Sequence, residues 1–125
     1  MSKILIIDDD ELVLDMMQAS LQEEGYEVTV AVNGDEGIKR YREDPADVVI
    51  TDVIMPEKEG ISTLLELKLE FPGANVIVMS GGGRISADGY LSTAKTLGAN
   101  FTFQKPVEHE QLINAIETLL ALELS

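Results

Sequence analysis

Ile4-Leu5-Ile6-Ile7-Asp8-Asp9-Asp10 is the stretch from which the fold is read. Four apolar residues in a row, with no polar alternation, suit a short strand buried on both faces. The run stops at three aspartates, so the carboxyl end of that strand is acidic. The same unit recurs along the chain. Val48-Val49-Ile50-Thr51 leads to Asp52, Val76-Ile77-Val78-Met79 leads to Ser80, and Phe101–Phe103 is soon followed by Lys105-Pro106. Val28–Val32 is a further strand-like run.

Helical spacing fills the intervals. Val13, Met16, Met17 and Leu21 recur at helical period, and Gly25 supplies a stop. Met16 and Met17 are expected in the core. Asn33 is placed to cap a helix reaching about Arg42, ended by Pro45. Ile61, Leu64 and Leu65 mark another helix that stops near Pro72 and Gly73. A helix from about Asp88 to Leu97 precedes Gly98. Leu112, Ile113, Ile116, Leu119 and Leu120 draw an apolar stripe on the last helix.

Five strands alternating with five helices imply an α/β domain whose parallel sheet is covered on both faces. The expected arrangement is a flavodoxin-like (βα)5 three-layer sandwich with strand order 2-1-3-4-5, although periodicity alone does not determine the order. Ligands of such sheets bind beyond the carboxyl ends of the strands. That edge carries Asp8, Asp9, Asp10, Asp52, Ser80 and Lys105. Carboxylates brought together repel one another unless a cation compensates. Oxygen donors favour a hard ion such as magnesium, which keeps several waters and takes one or two carboxylates. With no cysteine and one distant histidine, His109, zinc fits poorly. A carboxylate can attack phosphorus covalently, a metal offsets the anion–anion repulsion, and an ammonium and a hydroxyl can hold the remaining phosphoryl oxygens.

The 125 residues suit one domain. The net charge of −14 disfavours nucleic acid and membrane surfaces and favours cations and basic protein surfaces. The absence of cysteine suits a reducing, cytoplasmic setting.

Four pieces taken together resemble the receiver domains of bacterial two-component response regulators: Ile4–Asp10, Val48–Pro56 with Gly60, Val78–Gly81, and Gly98-Ala99 leading to Lys105-Pro106. The resemblance spans essentially the whole chain, which is expected to be one receiver domain over 1–125 without an effector domain. It implies Asp52 as phosphoacceptor, Asp9 as a direct magnesium ligand, and Asp8 acting mainly through a metal-bound water. The Ile54 backbone carbonyl would complete the protein ligands, with manganese or calcium able to substitute for magnesium. Lys105 would pair with Asp52 and then with the phosphoryl group, and Ser80 would swing toward it. The Lys105–Pro106 bond is expected to be cis. A histidine kinase or phosphotransfer protein would donate the phosphoryl group. The domain would catalyse its own phosphorylation and dephosphorylation, and output would pass to a downstream target protein. That output is expected through the face made by the fourth helix, fifth strand and fifth helix. A monomer or weak dimer is expected, with Leu122 and Leu124 as candidates for a dimer face.

Three positions depart from the resemblance. Thr102 stands where an aromatic switch residue is usual, and Phe103 is expected in the core instead. The glycine-rich loop after Ser80, residues 81–89, is longer than usual and is expected to order on phosphorylation or partner binding. Ile54 and Gly82 offer no polar group to orient a hydrolytic water, so a long-lived phosphoryl group is expected. Blander readings stand beside these: Asp10 as a helix-starting acid, Asp8 and Asp9 as solvated loop acids, Ser80 as a turn residue, Lys105 as a surface lysine, and Pro56 and Gly60 as loop geometry. His109 is expected to lie exposed, without function. The functional rivals are a non-phosphorylated pseudo-receiver binding module, a small magnesium-dependent phosphohydrolase, and a flavodoxin-type cofactor binder. The first is opposed by the intact acidic set with Lys105, the second by Val53 and Ile54 after Asp52, and the third by acids that repel a flavin phosphate.

Overall fold

The computed structural model describes residues 2–52, 59–80, 94–105 and 107–124. Its elements are β1 (Lys3–Ile7), α1 (Glu11–Glu23), β2 (Glu27–Ala31), α2 (Gly34–Glu43), β3 (Val48–Asp52), α3 (Glu59–Glu70), β4 (Val76–Ser80), β5 (Phe101–Gln104) and a C-terminal helix (His109–Leu124). Residues 94–96 are also helical, within the helix expected before Gly98. The five strands form one sheet in the order β2-β1-β3-β4-β5, and every pairing is parallel. The fold is the flavodoxin-like arrangement expected from the alternation.

The unbroken apolar runs explain the three layers. Successive side chains of a strand point to opposite faces. Leu5, Ile7, Val49, Val76 and Val78 therefore share one cluster with Ile38 and Tyr41 of α2 and Leu64 and Leu67 of α3. Ile4, Ile6, Val48, Ile50, Ile77 and Met79 share the other with Leu14 and Leu21 of α1 and Leu112, Ile116 and Leu119 of the C-terminal helix. A strand with apolar residues on one face only would leave one of these layers without a floor.

Local signals begin and end the helices. The Asp10 side chain caps α1 by accepting from the backbone N–H groups of Leu12 and Val13. Asn33 caps α2 through the Glu36 N–H at 2.8 Å. Gly25 follows α1 with φ 96°, a conformation in which a Cβ is strained. α2 approaches its neighbours through glycines: a Cβ at Gly34 would collide with Thr63 Oγ1, and one at Gly37 with the buried Ile7 side chain. Tyr41 packs on Phe71 with ring centroids 4.7 Å apart. Arg42 adds a two-pronged bridge to Glu70, at 2.5 and 2.8 Å. The guanidinium holds the Glu70 carboxyl below its usual range.

Two helix faces differ from expectation. Leu14 and Leu21, two turns apart, point into the core of α1, whereas Met16 is 65% exposed. Residue 16 stands 200° around the helix from Leu14, so Met16 faces away. In α3 the buried residues include Thr63, Leu64 and Leu67, and Leu65 is exposed. Leu67 completes the i, i+3 pair with Leu64 that Leu65 was expected to extend. Phe103 is half-buried; it packs against the second cluster and stacks on Phe101 at 6.3 Å. Thr102, between them in the strand, is also half-buried.

Candidate functional site: carboxylates at the sheet edge

The register brings the acidic loop, Asp52, Ser80 and Lys105 to one edge. Ile7, the residue before Asp8, pairs with Thr51, the residue before Asp52. Asp52 pairs with Met79, and Ser80 pairs with Gln104 just ahead of Lys105. Asp52 and Ser80 are the last residues of their strands rather than the first beyond them, so the sheet ladder itself holds their backbones. The Lys105 N–H donates to the Ser80 carbonyl at 2.7 Å, carrying the ladder one residue past β5.

Asp8 and Asp52 are buried, at 1% and 5% exposure. Lys105 lies between them: its Nζ donates to Asp52 Oδ2 at 2.6 Å and to Asp8 Oδ2 at 3.1 Å. The other oxygen of Asp8 accepts from the Asp10 N–H at 2.9 Å. One carboxylate thus organises the loop that starts α1 while facing the lysine. Burial works against the Lys105 charge, but the hydrogen bond and charge of Asp52, joined by Asp8, outweigh it and raise its pKa above the ordinary lysine value.

Asp9 is exposed, yet its pKa is raised, first by desolvation and then by the charges of Asp8 and Asp52. Three carboxylates against one ammonium leave a formal excess of two negative charges, which matches a divalent cation. All donors are oxygens, as magnesium requires. Among the described residues no three His, Cys, Asp or Glu side chains converge as a cage. Magnesium takes one or two carboxylates and keeps part of its water shell. These residues fit magnesium on charge and donor chemistry.

Ser80 is fully buried at the end of β4. Asp10 takes the role of its blander reading, the cap of α1. His109 is exposed, but it is not isolated: Nδ1 lies 3.0 Å from Ser20 Oγ and Nε2 3.2 Å from Glu24 Oε1. It ties the C-terminal helix to α1, a cross-element contact with no signature in sequence spacing. Ile54, Pro56, Gly82, the loop 81–89 and Pro106, with the expected cis bond, lie outside the described residues.

Comparison with known proteins agrees with this arrangement. Residues 4–117 match the family described as the response regulator receiver domain. The chain is 32% identical over 118 residues to chemotaxis protein CheY of Listeria monocytogenes, covering 94% of this chain and 97% of that protein. It is 33% identical to transcriptional regulatory protein GlrR of Escherichia coli, but spans only 26% of that protein's length. A crystal structure of a response regulator receiver domain protein from Clostridium thermocellum superimposes with a TM-score of 0.89 at 34% identity, covering 98% of this chain and 97% of that one.

Proposed function

Because the chain belongs to the response regulator receiver domain family, we propose that Asp52 is its phosphoacceptor and that a histidine kinase or phosphotransfer protein is the donor. The observation that carries this reading is the lysine between two buried carboxylates, Asp52 and Asp8.

In the reaction an Asp52 oxygen attacks phosphorus. The phosphorus–nitrogen bond of a phosphohistidine breaks, and its electron pair leaves with the imidazole. The product is an aspartyl phosphate. An anionic nucleophile meets an anionic phosphoryl group, so the step depends on compensating charge. A magnesium ion, when bound, supplies that compensation. Asp9 would hold it directly, Asp8 through a water, and Asp52 and the Ile54 carbonyl would complete the protein donors. Lys105 holds the attacking carboxylate in place before transfer. Afterwards it pairs with a phosphoryl oxygen, because the same Nζ then faces a larger negative charge. Ser80 gives its hydroxyl to another phosphoryl oxygen after turning from its buried position.

Phosphorylation adds roughly −1.5 to −2 charges at an edge already rich in acids. The added charge biases the two arrangements of the surrounding surface, which is how a receiver passes its state to a target protein. The proposed setting is the cytoplasm, where histidine kinases present their phosphoryl group. Among the described residues no helix is long and apolar enough to cross a membrane.

Incubation with a small acyl phosphate tests the assignment. Intact-mass analysis is expected to show one added phosphoryl group with magnesium and none without it. Asp52→Ala is expected to abolish the addition, and hydroxylamine to remove it, as for an acyl phosphate. Labelling that persists in Asp52→Ala would overturn the proposal.

A further inference from the structure

Asn33 is followed by Gly34, whereas Asn75, Asn100 and Asn114 are followed by Val76, Phe101 and Ala115. The side-chain amide carbon of an asparagine is an electrophile, and the backbone nitrogen of the next residue is the nucleophile nearest to it. Glycine puts no side chain beside that nitrogen and turns readily. Asn33 is half-buried, while Val32 and Asp35 on either side are exposed, so water reaches the junction. The fold holds the reacting pair apart. Asn33 is extended at φ −156° and ψ 172°, and its Oδ1 accepts the Glu36 N–H at 2.8 Å. Closing a ring onto Cγ requires ψ to leave that value and the side chain to leave the cap. Gly34 is buried against Thr63, which restrains the other side of the junction.

We propose that Asn33 is a self-modification site, converted with Gly34 through a cyclic imide to aspartate or isoaspartate, at a rate that the α2 cap sets. The Gly34 nitrogen gives its proton to hydroxide and attacks Asn33 Cγ. The bond from Cγ to the side-chain nitrogen breaks, and that nitrogen takes a proton from water and leaves as ammonia. Water then opens the ring at one of its two carbonyls. Opening at Cγ yields aspartate and leaves the main chain as it was. Opening at the backbone carbonyl yields isoaspartate, whose main chain runs through Cβ and Cγ and is one carbon longer. Water and hydroxide are the only co-reactants.

The two products meet different fates at this position. Aspartate keeps an oxygen at the cap and adds a negative charge where a helix end favours one. Isoaspartate displaces that oxygen and lengthens the link into Gly34, where the space against Thr63 Oγ1 does not admit even a Cβ. α2 must then lift from α3 or give up its first turn. The disturbance has a path to the acidic edge. The Asp8 N–H donates to the carbonyl of Ala31 at 3.1 Å, two residues before Asn33. An aged chain is therefore expected to carry a loosened carboxylate loop and to accept phosphoryl groups less well. That consequence rests on the phosphoacceptor reading, whereas the modification itself does not.

The test incubates the full chain, and a synthetic peptide of residues 29–38, in mildly alkaline water labelled with heavy oxygen. Mass mapping is expected to show amide loss with uptake of one labelled oxygen at Asn33, and none at Asn75, Asn100 or Asn114. The folded chain is expected to convert at least about tenfold more slowly than the peptide, with matching hydrogen-exchange protection of the Glu36 N–H. Gly37→Ala strains the packing of α2 on Ile7 and leaves the reacting pair intact. It is expected to speed conversion at least about threefold. Isoaspartate, told from aspartate by its resistance to an aspartate-directed protease, is expected to lower the thermal midpoint, whereas Asn33→Asp keeps it. A folded chain still unconverted when the peptide is exhausted many times over would overturn the modification site. Equal rates in chain and peptide, an unprotected Glu36 N–H, or an unaffected Gly37→Ala would overturn the cap as the brake. An isoaspartate form as stable as Asn33→Asp would overturn the difference between products. With a small acyl phosphate the isoaspartate form is expected to label at least about threefold more slowly than Asn33→Asp. Equal labelling would overturn the link to the acidic edge and leave the modification standing. Failure of every form to label would sink the phosphoacceptor reading without touching the chemistry at Asn33.

Discussion

Lys105 is the residue on which the site turns. It holds two buried carboxylates at 2.6 and 3.1 Å, and removing it leaves both without their ammonium. Lys105→Met is expected to cost about 1–3 kcal/mol in metal-free protein at neutral pH, read as a lowered urea midpoint. Its pKa is higher folded than unfolded. The stabilisation is thus fully present below the ordinary lysine value of 10.5 and is lost as pH rises through the folded value. Wild type and Lys105→Met are expected to converge in strongly alkaline buffer, and a gap that persists there would assign the lysine's effect to packing. Asp9 has the opposite consequence. A carboxyl whose folded pKa is raised makes the folded state bind its proton more tightly, so stability falls as pH climbs from the ordinary carboxyl range through the folded value. Asp9→Asn is expected to stabilise the metal-free chain at neutral pH. The gain is under about 1 kcal/mol, because Asp9 is exposed and screened by solvent. If the three acids share a divalent ion, magnesium is expected to raise the wild-type thermal midpoint more than that of Asp9→Asn.

The helices owe their positions to contacts of different kinds. α2 lies close to β1 and α3 because Gly34 and Gly37 present no side chain there. Gly37→Ala drives a methyl into Ile7, which is buried and cannot give way. The expected cost is about 1–3 kcal/mol, measured by chemical denaturation. An unchanged midpoint would mean that α2 shifts outward freely. Asn33→Ala removes the oxygen that accepts the Glu36 N–H and is expected to cost about 1 kcal/mol. α1 and the C-terminal helix are joined at their surface by His109, Ser20 and Glu24. Beside this contact Met16 is left exposed, while Met79 lies buried in the core.

Taken as a single body, the protein is a parallel sheet with its acids gathered beyond one edge and spread over the outside. A charge of −14 on 125 residues repels itself in the compact state. Raising salt from low to physiological strength is expected to lift the thermal midpoint by about 2–5 °C. A flat response would show that the acids are already compensated locally. At the sheet edge the fold brings acids together instead of letting them spread, because β1 and β3 are adjacent and end at the same level. Charge of that density is held by structure, with Lys105 between Asp8 and Asp52.

Ile4–Ile7, Val48–Ile50 and Val76–Met79 are wholly apolar, as strands buried on both faces are, and the polar residues after them, Asp8, Asp52 and Ser80, follow in the same reading. Fold class and the residues at the edge were therefore legible along the chain, and the strand order came with the flavodoxin-like arrangement expected from the alternation, since periodicity alone does not set it. Asp10 as a cap was legible too, since a cap bonds within its own turn. The outward turn of Met16, the burial of Leu67 in place of Leu65 and the bond from His109 to α1 were not. Periodicity says that a helix has an apolar face, but the angle at which it meets the sheet decides which residues that face includes. Contacts between residues 85 or 89 positions apart arise only when the layers stack, because their free energy depends on distances that no local rule contains.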